Sequence, residues 1–203
     1  MDRKRRRIVK TLAVTAALGT SLTTGCLGDG ESEMPDEDAG DGGEDTDDGA
    51  DEVALDEPAE FPSDAECPVC EMMSAEYPDW NAQVAHEDGE RAFTCSVGCM
   101  VAYVAYPDEF GVSDAAVAGV WVTSYETGEL IDGFEAYYAL ETDNERVDDV
   151  MMLNPAAFEN REDAIAYVDE VDYIDEEDVV EFDALDAETA DMYRGQLTPD
   201  TEA

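Results

Sequence analysis

Bulky apolar residues are almost absent from residue 27 to residue 60 and then recur at short intervals as far as residue 195. In that second region the spacing alternates between a period of two and a period near 3.6. Asn81 to His86 alternates loosely and predicts a strand. Glu87-Asp88-Gly89-Glu90 predicts a turn, because Asp-Gly suits a hairpin, and Arg91 to Thr94 predicts the returning strand. Ser96 stands where it would cap a helix running to about Tyr106, and Pro107 would stop it. Val117 to Tyr125 is β-branched and aromatic and predicts a strand. Glu126-Thr127-Gly128 predicts a turn, and Leu130-Ile131-Asp132 another extended segment. Tyr137 to Leu140 reads as strand. Asn160 to Val171 carries Ala164, Ile165, Tyr167 and Val168 at helical spacing. Val179 to Phe182 is a short strand, and Asp183 would cap a last helix reaching Met192 or Tyr193.

This order predicts an α+β fold of two small, similar half-domains, 61–111 and 112–195, each a β-hairpin or sheet with a packed helix. A tail over 196–203 follows, frayed from Thr198. The apolar-poor stretch 27–60 cannot bury enough surface to offset chain entropy and predicts a disordered acidic tether.

Charge changes the picture next. The 203 residues carry a formal net charge of −44. After residue 26, four arginines and no lysine face 53 acidic residues. Such a surface repels itself in dilute buffer. It becomes tolerable where molar salt shortens the screening length to about 3 Å, so the composition predicts a halophilic protein. The same charge argues against nucleic acid as a partner.

Residues 1–26 read as a twin-arginine-type lipoprotein signal. Arg5-Arg6-Arg7-Ile8-Val9-Lys10 fits the export pattern, and Thr11 to Leu22 is a mildly apolar run too short to span a bilayer. Leu22-Thr23-Thr24-Gly25-Cys26 reads as a lipobox, with Thr23 where an aliphatic residue is usual. The expectation is lipidation of Cys26 and an anchor on the outer face of the cell membrane.

Candidate chemistry gathers between residues 67 and 100. Cys67 and Cys70 are two residues apart, with Met72 close behind. Cys95 and Cys99 are three apart, followed at once by Met100. Thiolates and thioethers are soft donors that favour Cu(I), and thiolates also favour Zn(II). The residues alone leave three readings open: a Cu(I) site with low coordination, a structural zinc site of four thiolates, or two disulfides in an exported domain. A Cys67/Cys70 thiol–disulfide oxidoreductase is a further alternative. His86, alone on a strand, reads as a packed or surface residue before a ligand, and Met151 and Met152 as ordinary core residues. No Ser-His-Asp set, phosphate loop or dinucleotide fingerprint is present, and the chain reads as a non-enzyme.

The run Cys67-Pro68-Val69-Cys70-Glu71-Met72, then Phe93-Thr94-Cys95-Ser96 with Met100, then Val122 to Asp132 and Ala136-Tyr137-Tyr138, resembles the NosL family of copper-binding lipoproteins. The likeness covers about residues 62–183. It implies an α+β fold of two similar halves and one Cu(I) held by Cys and Met sulfur. It also implies a metallochaperone that delivers copper to nitrous oxide reductase, with the associated membrane transporter complex as docking platform. Three positions depart from the pattern: Glu71 replaces a usual Gly, Thr123 replaces a His found in several members, and Cys99 is extra. Cys95 and Cys99, with Phe93, Pro107 and Phe110, also resemble the TRASH and YHS metal-binding modules. The expected ligand set is therefore Cys67, Cys70, Met72, Cys95, Cys99 and Met100, presented as exposed sulfur at the edge of the domain.

Overall fold

The computed structural model describes residues 54–199. The predicted signal with Cys26, and the tether as far as residue 53, lie outside the described residues. The elements run β1 (Ala82–His86), β2 (Arg91–Thr94), α1 (Val97–Ala105), α2 (Pro107–Phe110), β3 (Val117–Thr123), β4 (Leu130–Asp132), β5 (Tyr137–Ala139), β6 (Ala156–Phe158), α3 (Arg161–Val168), β7 (Val179–Glu181) and α4 (Ala187–Arg194). The fold is α+β, with two antiparallel sheets ordered β2-β1-β3-β4 and β6-β5-β7.

The expected division at residues 111 and 112 falls inside the first sheet. β3 pairs with β1 along its whole length and brings β4 with it, so the hairpin of the first segment is completed by strands of the second. The reason is burial: every residue of β1 is buried, and a strand so placed needs neighbours on both edges.

Helix α1 explains the layering. Its sequence, VGCMVAYVA, has no charged residue, and Val97 through Tyr103 are all buried. A helix that is apolar all round must be covered all round. Ala82, Val84, Ala92, Val120 and Val122 from the inner face of the first sheet share a core with it, as do Tyr138, Ala157, Leu185 and Ala190 from the second segment. A smaller core forms where α3 lies on the second sheet, around Phe158, Tyr167, Val168 and Val179.

Several local expectations change. The tether ends before residue 60. Gln83 exchanges hydrogen bonds with the backbone of Ala59 at 2.8 and 2.9 Å, and Arg91 donates to the carbonyls of Ala54 and Glu57. Residues 54–61 thus strap the outer face of the first sheet, and Phe61 meets Phe93 edge-on. Pro107 ends α1 but also opens α2, as proline suits a first helical position. The cap of α4 is Asp186, which accepts from Thr189 N, whereas Asp183 lies in a 3-10 turn, Phe182–Ala184. Strand β6 went unpredicted because Ala156-Ala157-Phe158 is too short and too alanine-rich to signal one. Thr198 stays tied to Asp191 by a 2.7 Å hydrogen bond.

A buried carboxylate closes the second segment. Glu141 accepts from Tyr167 and Tyr173 hydroxyls, from the backbone N–H of Thr142 and Asp143, and from Arg146 at 3.0 Å. Burial opposes its ionisation, yet these donors hold it below the ordinary carboxylate value. The stability it contributes is therefore present above the unfolded value of 4.5 and lost as pH falls through the lower folded one. Glu141→Gln should lower unfolding free energy by about 2–4 kcal/mol. It should also flatten the acid limb of stability against pH, both read by denaturant titration in high salt.

Candidate metal centre

The loop carrying the first cysteine pair is a tight reversal. Cys67 N donates to Met72 O and Glu71 N to Cys67 O, both at 2.8 Å, and Glu66 bridges Met73. The turn needs one residue in the left-handed region, and Glu71 takes it at φ 63°. The loop is pinned to β2 by Ser74 Oγ, which donates to Phe93 O at 2.7 Å, and to β1 by Asn81 Nδ2 on Ser74 O. Thr123 Oγ1 lies 2.9 Å from Asn81 O and 3.0 Å from Asn81 Oδ1. It works as a tie at the strand end.

The second pair comes from the β2–α1 junction. Thr94 Oγ1 lies 3.2 Å from Ala82 O and 3.1 Å from Ser96 O, which fixes the turn. Ser96 caps α1 by accepting from Cys99 N at 3.2 Å, as its sequence position predicts. Cys95 thus precedes the cap and Cys99 sits on the first turn.

These two pieces meet. The Sγ atoms of Cys67, Cys70, Cys95 and Cys99 all lie within 4.8 Å of one another. Cys70 and Cys95 are 3.2 Å apart and Cys95 and Cys99 3.8 Å; none is in a disulfide. A tetrahedral thiolate site with metal–sulfur bonds of 2.3 Å has sulfurs about 3.8 Å apart, so the four thiols are already near ligand spacing. Cys99 belongs to the set. Exposure is not as expected. Cys67, Cys95 and Cys99 are at most 1% exposed, and Cys70 alone is half-buried. The sulfurs form a pocket with one lip rather than an open edge. Met100 is wholly buried in the core shared with the cysteines, and half-buried Met72 packs against that core.

The thiols share protons unequally. Hydrogen bonds with Cys67, Cys70 and Cys95, and beyond them the Arg194 charge, draw the Cys99 thiol down. Cys67 is also lowered, by Cys70 and Cys95. Cys70 and Cys95 are pushed up, each first through its bond with Cys67. A metal that takes all four must therefore displace protons.

His86 lies on β1 with both ring nitrogens engaged, Nδ1 with Ala115 O at 2.8 Å and Nε2 with Tyr103 Oη at 2.6 Å. Of the two methionines expected in the core, Met151 packs on it, whereas Met152 stands out of it, 61% exposed on a turn at φ 71°. Arg194, unnoticed in the sequence, donates from Nε to Cys99 Sγ at 3.1 Å. The available signal was its rarity: a lone cation at the end of an amphipathic helix, one of only four basic residues after residue 26.

Glu71 gives a direct test of the loop. The left-handed conformation costs a residue with Cβ about 1–2 kcal/mol, and glycine returns roughly 0.5–1 kcal/mol through unfolded-state entropy. Glu71→Gly should leave stability unchanged or raise it by up to about 1 kcal/mol. Glu71→Val should lower it, as read by denaturant midpoint.

No curated protein matches the chain. The copper chaperone NosL from Shewanella denitrificans, known from a crystal structure, has a similar fold. Its TM-score is 0.50 at 16% identity, covering 65% of this chain and 97% of that one. The pattern of the NosL family matches residues 58–189, a span that holds both sheets and all four clustered cysteines, and the chain therefore belongs to the NosL family.

Proposed function

We propose that this protein is a Cu(I) metallochaperone. It is held on the outer face of the cell membrane by a lipid on Cys26 after twin-arginine export, and it hands copper to nitrous oxide reductase during that enzyme's maturation. Family membership supports the class of function, and the solved relative described as a copper chaperone supports the cargo. The observation that carries the reading is the set of four unpaired thiols within 4.8 Å, one of them at the surface. The recipient and the membrane transporter complex as docking platform follow from the family pattern, and the anchor from the lipobox.

The geometry suits a carrier. Cu(I) is stable with two or three sulfur ligands, so four thiols, with Met72 and Met100 beside them in the core, offer more donors than the ion needs. An incoming sulfur from a recipient reaches the half-exposed Cys70 first. Each bond formed on the recipient's side replaces one on this side, and the ion never stands bare. The buried Cys67, Cys95 and Cys99 hold it until the last exchange.

One observation favours a second reading. With Cys99 included, the thiols match a closed four-thiolate zinc site, as in the TRASH and YHS modules. The two readings part in a titration under reduction and molar salt. The carrier reading expects Cu(I) to compete with a chromogenic chelator and to displace Zn(II). Cys67→Ser or Cys95→Ser should weaken Cu(I) by about 100-fold, roughly two steps of 1.4 kcal/mol. Cys70→Ser should weaken it less but slow transfer to an acceptor chelator. Zn(II) bound by four thiolates that Cu(I) does not displace would reject the carrier.

A further inference from the structure

Arg194 is a large charged side chain with no solvent exposure. Besides its bond to Cys99 Sγ, Nη2 donates to Ser96 Oγ at 2.6 Å, and Nη1 donates to the carbonyls of Leu153 and Tyr193 at 2.8 and 2.7 Å. The guanidinium is thus fixed in its plane, at the capped end of α1. Space for it comes from Gly98, where a Cβ would stand 2.8 to 3.0 Å from the guanidinium atoms. Gly98 N is meanwhile taken by Asn154 Oδ1 at 2.6 Å. Beside the guanidinium lies Asp149, its Oδ2 3.7 Å from Nη2; neither carboxylate oxygen has a hydrogen-bond partner of full geometry among the described residues, and the nearby backbone N–H groups of Met151 and Val150 only partly offset its burial.

A buried carboxylate without hydrogen bonds is costly. Here it stands beside an arginine whose Nε is spent on a sulfur. Stability alone would favour turning the fork onto the carboxylate, as arginine pairs best with carboxylate oxygens in two parallel bonds. The arrangement instead keeps an N–H on the thiol and leaves the carboxylate 3.7 Å from Nη2.

We infer that Arg194 is a positioning residue for the metal centre. Its Nε–H sets the direction of the Cys99 sulfur toward the other three, and its charge offsets the negative charge that several thiolates retain around a monovalent ion. Asp149 steadies the fork from the Nη2 side. This inference rests on the reading of the cysteines as a Cu(I) site. Lysine cannot replace the side chain fully, because one ammonium cannot reach a sulfur, a hydroxyl and two carbonyls in one plane.

The test is a double-mutant cycle on the full chain, with Cu(I) affinity measured against a chromogenic chelator under reduction and molar salt. Arg194→Gln should weaken Cu(I) at least tenfold and shift the thiolate-to-copper absorption band, and Arg194→Lys should recover part of the loss. In a Cys99→Ser background the Arg194→Gln effect should shrink, because only the charge contribution to the remaining thiolates is left. If Arg194→Gln lacks the native far-ultraviolet dichroism, Gly98→Ala takes its place in the same cycle, since it pushes the fork off the sulfur without removing it. An equal loss with and without the Cys99 sulfur, or no loss, overturns the role of Arg194 while leaving the copper site standing. A wild-type chain that takes up no Cu(I) overturns the carrier reading and this role together.

Discussion

Helix α1 has no face that tolerates water, and the rest of the fold is arranged to keep water from it. One sheet lies on one side, and α4 with residues of the second sheet lies on the other. That double covering is what brings α4, almost a hundred residues later in the chain, against the first turn of α1. It also forces the β2–α1 junction into the interior, and with it Cys95 and Cys99. The thiols are therefore clustered by the need to bury an uncharged helix, before any ion is considered. Interiors packed to crystal-like density shift little, so the sulfur positions are set by backbone elements on three sides.

Burial of this kind has a chemical consequence at the site. Four thiols in a low-dielectric pocket cannot all ionise without compensation, and the protons settle unevenly among them. The loop at Cys67–Met72 is the part of the set that hangs on hydrogen bonds rather than on a helix or strand. Its turn is closed by a residue other than glycine in a conformation that glycine adopts freely. The half-exposed thiol belongs to this loop. Two firm sulfurs at the strand–helix junction and two on the loop, one of them half-exposed, make a gradient of grip across the site, which suits an ion that must leave as well as stay.

Much of this was legible in the chain. Alternation marked β1 to β4, Asp-Gly marked the first turn, and Ser96 announced the helix whose first turn carries Cys99. The spacing of the two cysteine pairs marked the centre, and the resemblance built on it placed the family. What stayed hidden had physical causes. The placement of β3 beside β1 is a long-range pairing that no local period encodes. β6 is three small residues with little propensity of their own. The strap over 54–60 is held by Gln83 and Arg91 reaching the backbone of a segment whose composition is that of a solvated chain. The depth of the thiols depended on α4 closing over α1, and Arg194 could not be assigned to a cysteine 95 residues away without the fold.

The four arginines of the described residues are all engaged: Arg91 on backbone carbonyls and Gln83, Arg146 and Arg161 on carboxylates, and Arg194 in the interior. There is no lysine among these residues. Apart from Arg161, half-exposed beside Glu176, the charge on the outside of the described residues is almost all carboxylate, and two such surfaces approaching one another meet mostly like charge. Recognition by any other protein must then be asymmetric in its chemistry: the visitor has to supply the cations, or the surrounding electrolyte has to stand in for them.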